Sequence, residues 1–227
     1  MLPMFEHLLD LLLPRRCPGC GRGGTLLCPR CGPRVPLPGR CPGCRRLSPA
    51  GLTHPKCRGR TAIDGLTALA RYADPLTRGM LLDAKFRGVR GYVKALGSRL
   101  GAEWRGTGLR RPAALVPVPL HWTRERARGF NQAALLAASF GRAVGLPVEP
   151  VLRRRRRTRP QSALDDHARI RNLQNAFRVS GPVPSRVILV DDIATSGATL
   201  DAAARALRDA GCSWVEGAVV ASELPER

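Results

Sequence analysis

Apolar positions along the chain fall into two rhythms. Short continuous runs read as strands: "LTALARY" (Leu66–Tyr72), "AALVPVPL" (Ala113–Leu120), "PVEPVL" (Pro147–Leu152), "RVILV" (Arg186–Val190) and "WVEGAVVA" (Trp214–Ala221). Longer segments carry helical patterns: "DPLTRGMLLDAKF", "GYVKALGSRLGAEW", "NQAALLAASFGRAV" and "TLDAAARALRDA". Asp74 is placed to cap the first of these, with Pro75 in its opening turn, while Gly145 and Gly211 stop the last two. Strands that alternate with helices predict a parallel sheet covered on both faces. Ligands of such sheets sit at the carboxyl ends of the strands. The residues following "LVPVPL" and "RVILV" are therefore where chemistry should be sought. One stretch breaks the rhythm: "RRRRRTRPQSALDDHARIRNLQNAF" (Arg153–Phe177) reads as a long polar arm ending in a helical pattern.

The first sixty residues follow neither rhythm. "MLPMFEHLLDLLLPRRC" lacks a basic leader, and Glu6 and Asp10 interrupt its apolar run, so we read an amphipathic helix and expect neither a secretion signal nor a transmembrane segment. That points to the cytoplasm, where thiols stay reduced. Cys17 and Cys20, Cys28 and Cys31, and Cys41 and Cys44 each bracket two residues, and His54 and Cys57 do the same in "THPKC". Seven thiolates and one imidazole make two tetrahedral zinc sites. Sequential pairing is simplest, and an interleaved pairing is equally legal. Every position is filled by protein, which argues for structural rather than catalytic metal. Zinc would replace a core that this Pro-, Gly- and Arg-rich segment cannot build. We favour that role over a nucleic-acid-binding ribbon aided by Arg15, Arg16, Arg22, Arg30, Arg34, Arg40, Arg45 and Arg46. Cys212, left over, reads as a buried apolar residue. We divide the chain into an amphipathic segment plus zinc ribbon, residues 1–60, and an α/β domain, residues 61–227.

Charge adds a preference for partners. Lys and Arg number 38 against 17 Asp and Glu, a net charge of +21 over 227 residues. Such an excess favours polyanions or phosphate-rich substrates. The plainer source is a genome preferring Arg codons, since only Lys56, Lys85 and Lys94 are lysines.

The stretch "VILVDDIATSGATL" (Val187–Leu200) carries the most specific chemistry. Asp191 and Asp192 end an apolar strand, and a loop of small residues then enters a helix. Successive amides at a helix start form an anion nest, and small side chains let a ligand approach. Carboxylates beside a bound phosphate repel it unless they face vicinal hydroxyls of the same molecule. The pattern asks for a sugar phosphate; the Gly-Lys pair of a nucleotide-binding P-loop is absent.

This stretch resembles the signature loop of type I phosphoribosyltransferases, which bind phosphoribosyl pyrophosphate. The resemblance implies that Asp191 and Asp192 hold the ribose hydroxyls, while Ala194, Thr195, Ser196, Gly197, Ala198 and Thr199 wrap the ribose phosphate. "ARGF" within "HWTRERARGFNQ" resembles the pyrophosphate loop at a helix start, with Arg128 and Gly129 against the leaving group and Mg²⁺ bridging diphosphate and ribose oxygens. In order, the zinc knuckles, "AKFRG", "VPVPLHWTRERARGFNQ", "RTRPQSALDDHARIRNLQNAF" and "VILVDDIATSGATL" resemble the ComF family, associated with DNA uptake in natural transformation. That layout implies a catalytic arm near Arg159, Gln161, Leu164, Arg169 and Asn172. Two departures stand out: Thr195-Ser196 replaces the usual Thr-Thr, keeping the hydroxyl, and His54 joins the second metal set. A glutamine amidotransferase is not expected, because that chemistry needs a cysteine nucleophile at a mature N-terminus.

Two functions follow as expectations. As an enzyme, the chain would transfer phosphoribosyl to an acceptor held by a hood around Tyr72 to Trp104, with Lys85, Phe86 and Arg87 as contacts. "KFRG" equally suits a helix end with a cationic cap. As a binding module of the competence machinery, it would use the same pocket and the Arg153–Arg157 run on single-stranded DNA. With only 4% aromatic residues, stacking platforms are scarce.

Overall fold

A computed structural model describes residues 15–32, 37–104, 114–154 and 176–223. The amphipathic opening, most of the polar arm with Arg159, Gln161, Leu164, Arg169 and Asn172, and Arg155–Arg157 lie outside the described residues.

The apolar run "RVILV" becomes the centre of the sheet. Strand β5 (Arg186–Ala194) lies between β6 (Trp214–Ser222) and β2 (Ala114–Pro117), and β1 (Gly65–Arg71) adds outside β6. The order is β1-β6-β5-β2, and every neighbouring pair is parallel. Val187, Ile188, Leu189 and Val190 are each 0% exposed, as a strand buried on both faces requires.

Alternate residues of β5 enter two different cores. Val187 and Leu189, with Val215 and Val219, pack against Leu200, Ala203, Ala204 and Leu207 of helix α5 (Ala198–Asp209). Ile188 and Val190 pack with Leu81, Leu96, Leu136 and Phe140. Those four come from α1 (Pro75–Arg87), α2 (Arg90–Glu103) and α4 (Gln132–Val144). Each such side chain contributes about 1.5–3 kcal/mol on burial. Asp74 caps α1 by accepting from the Thr77 N–H at 2.7 Å, and Gly145 ends α4 in the left-handed conformation. Close α2–α4 packing depends on Gly97, where a β-carbon would stand 2.7 Å from the Leu136 carbonyl oxygen.

Three expectations need correction. "PVEPVL" is not a strand along its length: Val148 makes a single parallel bridge to Leu115, and the regular strand is β3 (Leu152–Arg154). Pro147 and Pro150 have no N–H to give a ladder. β3 pairs antiparallel with β4 (Phe177–Val179) in a separate two-stranded sheet, so Phe177 itself is in a strand, while the helical pattern read before it lies outside the described residues. "ARGF" does not open a helix. A short helix, α3 (Trp122–Arg128), ends there, Gly129 turns the chain at φ 77°, and Asn131 caps α4.

The metal-rich segment is tied to the sheet by its backbone. The Leu37 N–H donates to Ala68 O at 2.9 Å and the Thr53 N–H to Asp64 O at 2.7 Å. Thr61 Oγ1 and the Ala62 N–H donate to the Asp201 carboxylate at 2.8 and 2.7 Å, which fixes the connecting stretch to the first turn of α5. Among the described residues, no helix is long and apolar enough to cross a membrane.

Candidate functional site

The eight proposed metal ligands gather into two groups, and the pairing is sequential. Cys17, Cys20, Cys28 and Cys31 form one; Cys41, Cys44, His54 and Cys57 form the other, with ligand atoms in each lying within 4.8 Å of one another. A tetrahedral zinc with four Zn–S bonds near 2.3 Å separates its sulfurs by about 3.8 Å. Cys20 and Cys28 sulfurs stand 3.6 Å apart, and Cys44 Sγ lies 3.2 Å from His54 Nδ1, so both sets fit the ion. Amide donation from Cys31 draws the Cys28 thiol down to about 6, whereas its thiol neighbours Cys20 and Cys28 push Cys31 up to about 12. Crowded thiols give up some protons readily and the rest only with difficulty; a dication resolves the conflict. Cys212 is separate and buried, as expected.

The acid pair owes its accessibility to unequal strand lengths. β2 stops pairing with β5 at Pro117 opposite Val190, and the Val118 N–H closes that edge on Val190 O at 2.9 Å. β6 continues beside β5, placing Asp191 opposite Val219 and Ala194 opposite Ser222. From Asp191 onward, β5 has no ladder partner on the β2 side among the described residues. The Asp192 N–H donates to Asp191 Oδ1 at 2.9 Å, and the two carboxylates lie near each other. Asp191 is half-buried, and desolvation holds its carboxyl well above the usual range. The Asp192 charge adds to that rise, and Arg154 opposes it. Asp192 faces the other cation, Arg128, whose guanidinium is destabilised by burial and supported by that carboxylate.

The small-residue loop follows at once. Ala194 is anchored by the Glu223 N–H, which donates to its carbonyl at 2.8 Å. Thr195 and Ser196 lead to Gly197, whose φ of 80° turns the chain into α5 at Ala198. At the start of that helix the Ala198 N–H donates to Ser196 Oγ at 3.4 Å.

Arg128 lies at the end of α3, where its guanidinium donates to the Gln132 side chain. Gly129 is held by Arg90, which donates to its carbonyl at 3.0 Å and lies over the Phe130 ring. Arg90 is marked by no motif, and Arg154 only as one member of the Arg153–Arg157 run. Arg154 sits half-buried over the Phe177 ring, 5.4 Å from its centroid, and this places one member of the Arg run beside Asp191. Its neighbour Arg153 is exposed and donates to Pro150 O. Alternating strand direction was the signal available for telling the two apart.

Lys85, Phe86 and Arg87 form the exposed last turn of α1. Arg87 pairs with Asp83 at 3.1 Å, Lys85 lies over the Phe86 ring, and Gly88 ends the helix at φ 72°. That is the arrangement of a cationic helix end. A cavity of about 510 Å³ opens instead at the ends of β1 and β6, lined by Leu37, Ala68, Tyr72, Arg78, Ser222 and Glu223.

Comparison with known proteins agrees with this geometry. The phosphoribosyl transferase domain family matches residues 129–226. The DNA utilization protein YhgH of Escherichia coli (strain K12) is 33% identical over 211 residues, covering 88% of this chain and 86% of that protein. Competence protein F of Haemophilus influenzae is 36% identical over 113 residues, 48% of this chain and 49% of its own. Competence protein ComFC of Bacillus subtilis is 32% identical over 127 residues, 56% of this chain and 51% of its own. With a parallel sheet between helix layers, an acid pair running into an amide loop, and two zinc-ready clusters ahead of them, the chain belongs to the ComF family of phosphoribosyltransferase-like proteins.

Proposed function

We propose that this chain binds phosphoribosyl pyrophosphate with magnesium and transfers its phosphoribosyl group to an acceptor, in support of DNA uptake or utilization. It acts in the cytoplasm, with structural zinc in both clusters. The β5 edge beyond β2 carries this reading: Asp191 and Asp192 stand where β2 has ended, one strand step before the amide loop. Amides of Ala194 to Thr199 would hold the ribose phosphate, and the two carboxylates would accept from the ribose hydroxyls. Arg128 and the Gly129 N–H would meet the diphosphate, where negative charge grows as the anomeric carbon–oxygen bond breaks. Asp191 and Asp192 would hold a magnesium ion together with substrate oxygens, and that ion would supply neutralising charge to the diphosphate.

The acceptor would enter beside Tyr72, through the cavity whose Ser222 pairs with Ala194 at the loop entrance. Contacts from Lys85, Phe86 and Arg87 require an acceptor long enough to reach past α1. Calorimetry of the wild type with phosphoribosyl pyrophosphate and MgCl₂ should show saturable binding. Pyrophosphate release across a panel of nucleobases and amines should identify the acceptor. Arg128→Ala should slow release by about 100-fold or more while changing affinity less, the pattern of a group acting on developing charge. Absence of any binding heat from the wild type removes the proposal.

A specific surface favours a second reading. Trp122 is 62% exposed and shares a groove of about 620 Å³ with Arg153, Arg154 and Arg178. One aromatic face among cations is how single strands are held without sequence preference. Fluorescence titration with oligo-dT at several salt concentrations should give a steep salt slope, and Trp122→Ala should weaken binding by about 5-fold or more. Equal affinity of variant and wild type would count against this groove.

A further inference from the structure

The two metal knuckles are near copies in their hydrogen bonding. The Cys17 N–H donates to Arg22 O at 2.9 Å, and the Cys41 N–H donates to Arg46 O at 2.9 Å. Gly21 and Arg45 then return their N–H groups to Cys17 O and Cys41 O at 2.8 and 2.7 Å. Even the side chains correspond: Arg16 Nη1 donates to Gly21 O at 3.4 Å, and Arg40 Nη1 donates to Arg45 O at 3.2 Å. Each knuckle ends in an antiparallel bridge, Arg16 with Gly23 and Arg40 with Leu47.

One position departs from the copy. Both knuckles need a left-handed residue just after the second cysteine; the first uses Gly21 at φ 73°, the second Arg45 at φ 66°. Glycine is the default there, because a β-carbon crowds the following carbonyl. The first knuckle shows that the metal fold has no need of an arginine at this position. Gly21 looks into open space, with no atom within 4 Å of where its β-carbon would lie. Arg45 is half-buried and lines a cleft of about 200 Å³ with Thr61, Ser196, Gly197 and Ala198. The acidic residue in that lining, Asp201, already accepts from Thr61, Ala62 and Arg205. Neutralising Asp201 therefore does not explain the arginine.

We infer that Arg45 is a phosphate-binding residue, supplied by the metal module to the loop that opens α5. This inference rests on the proposed phosphoribosyl pyrophosphate site and assigns it a further contact. A guanidinium offers planar paired donors to a phosphoryl group, complementing main-chain amides that donate singly. The second knuckle thus acts as one wall of the substrate site as well as a metal scaffold.

Arg45→Gly separates this role from a structural one, since it relieves the left-handed strain. Ribose 5-phosphate and phosphoribosyl pyrophosphate with MgCl₂ serve as calorimetric probes, with melting temperature and zinc content measured alongside. Affinity for both probes should fall by about 10-fold or more, with zinc content unchanged and melting temperature unchanged or raised. Arg45→Lys should retain intermediate affinity. Wild-type affinity in Arg45→Gly overturns the inference while leaving the proposed function intact, as does weakened binding that tracks zinc loss. Failure of the wild type to bind either probe overturns the proposed function and this contact with it.

Discussion

Replacing Asp191 and Asp192 together with asparagine should weaken binding of phosphoribosyl pyrophosphate by at least about 100-fold and raise the melting temperature. Hydrogen bonds to charged groups are worth about 1.5–3 kcal/mol each, so losing two costs at least two factors of ten. The stability change has the opposite sign. Desolvation and the Asp192 charge raise the Asp191 carboxyl well above its ordinary value, so the folded chain disfavours the ionised form. Stability from this group is complete below the ordinary carboxylate range and is lost as pH rises through the raised value. At neutral pH asparagine removes that penalty; below about pH 4 the melting advantage of the variant should vanish. Ligand binding by the wild type should weaken on acidification before an ordinary aspartate would protonate. Calorimetry and thermal melts between pH 4 and 8 read both effects. A variant that binds normally, or melts lower at neutral pH, contradicts the assignment.

Stripping the metal should have the second large effect. Elemental analysis should find two zinc ions per chain, and Cys28→Ser/Cys31→Ser should leave one. Zinc contributes about 10–16 kcal/mol to the folding of small finger peptides, as much as the whole stability of an ordinary domain. The described part of the ribbon has little else: its fully buried side chains include Cys17, Cys28, Cys41 and Cys57. Chelation should therefore abolish amide protection across residues 15–60 while β5 and β6 stay protected in hydrogen exchange. Affinity for phosphoribosyl pyrophosphate should fall by about 10-fold, because the ribbon carries Arg45 and its connecting stretch holds Asp201. Full protection of the ribbon without metal would sink this expectation.

Chemistry that repeats or runs was legible in the sequence. Continuous apolar runs marked β1, β5 and β6 because both faces of a parallel sheet are covered. Metal ligands declared themselves by spacing, although sequence alone left their pairing open. Features shorter than a period were hidden. α3 spans seven largely polar residues with none buried, so it carries no amphipathic signal. β3 lies within an arginine run and takes its place from cross-strand pairing with Phe177 and Val179, which only the fold brings near. Within the site, Asp191, Asp192 and Arg128 could be named from sequence, but which cation meets which acid could not. Arg154 and Arg128 arrive from distant positions, and sheet geometry decides which acid each meets.

The stretch between the second cluster and β1 has no slack. Arg60 donates to Cys57 O, Thr61 and Ala62 to Asp201, and Asp64 to Val215 O, while Ile63 O accepts from Thr53. One inserted residue there adds up to about 3.5 Å of reach and shifts each of these partners out of step. Ribbons from other proteins could thus be grafted as interchangeable cassettes only if they preserve this count. A foreign ribbon of the wrong length would still load metal, yet it would hold its arginine away from the place where the ligand's charge waits.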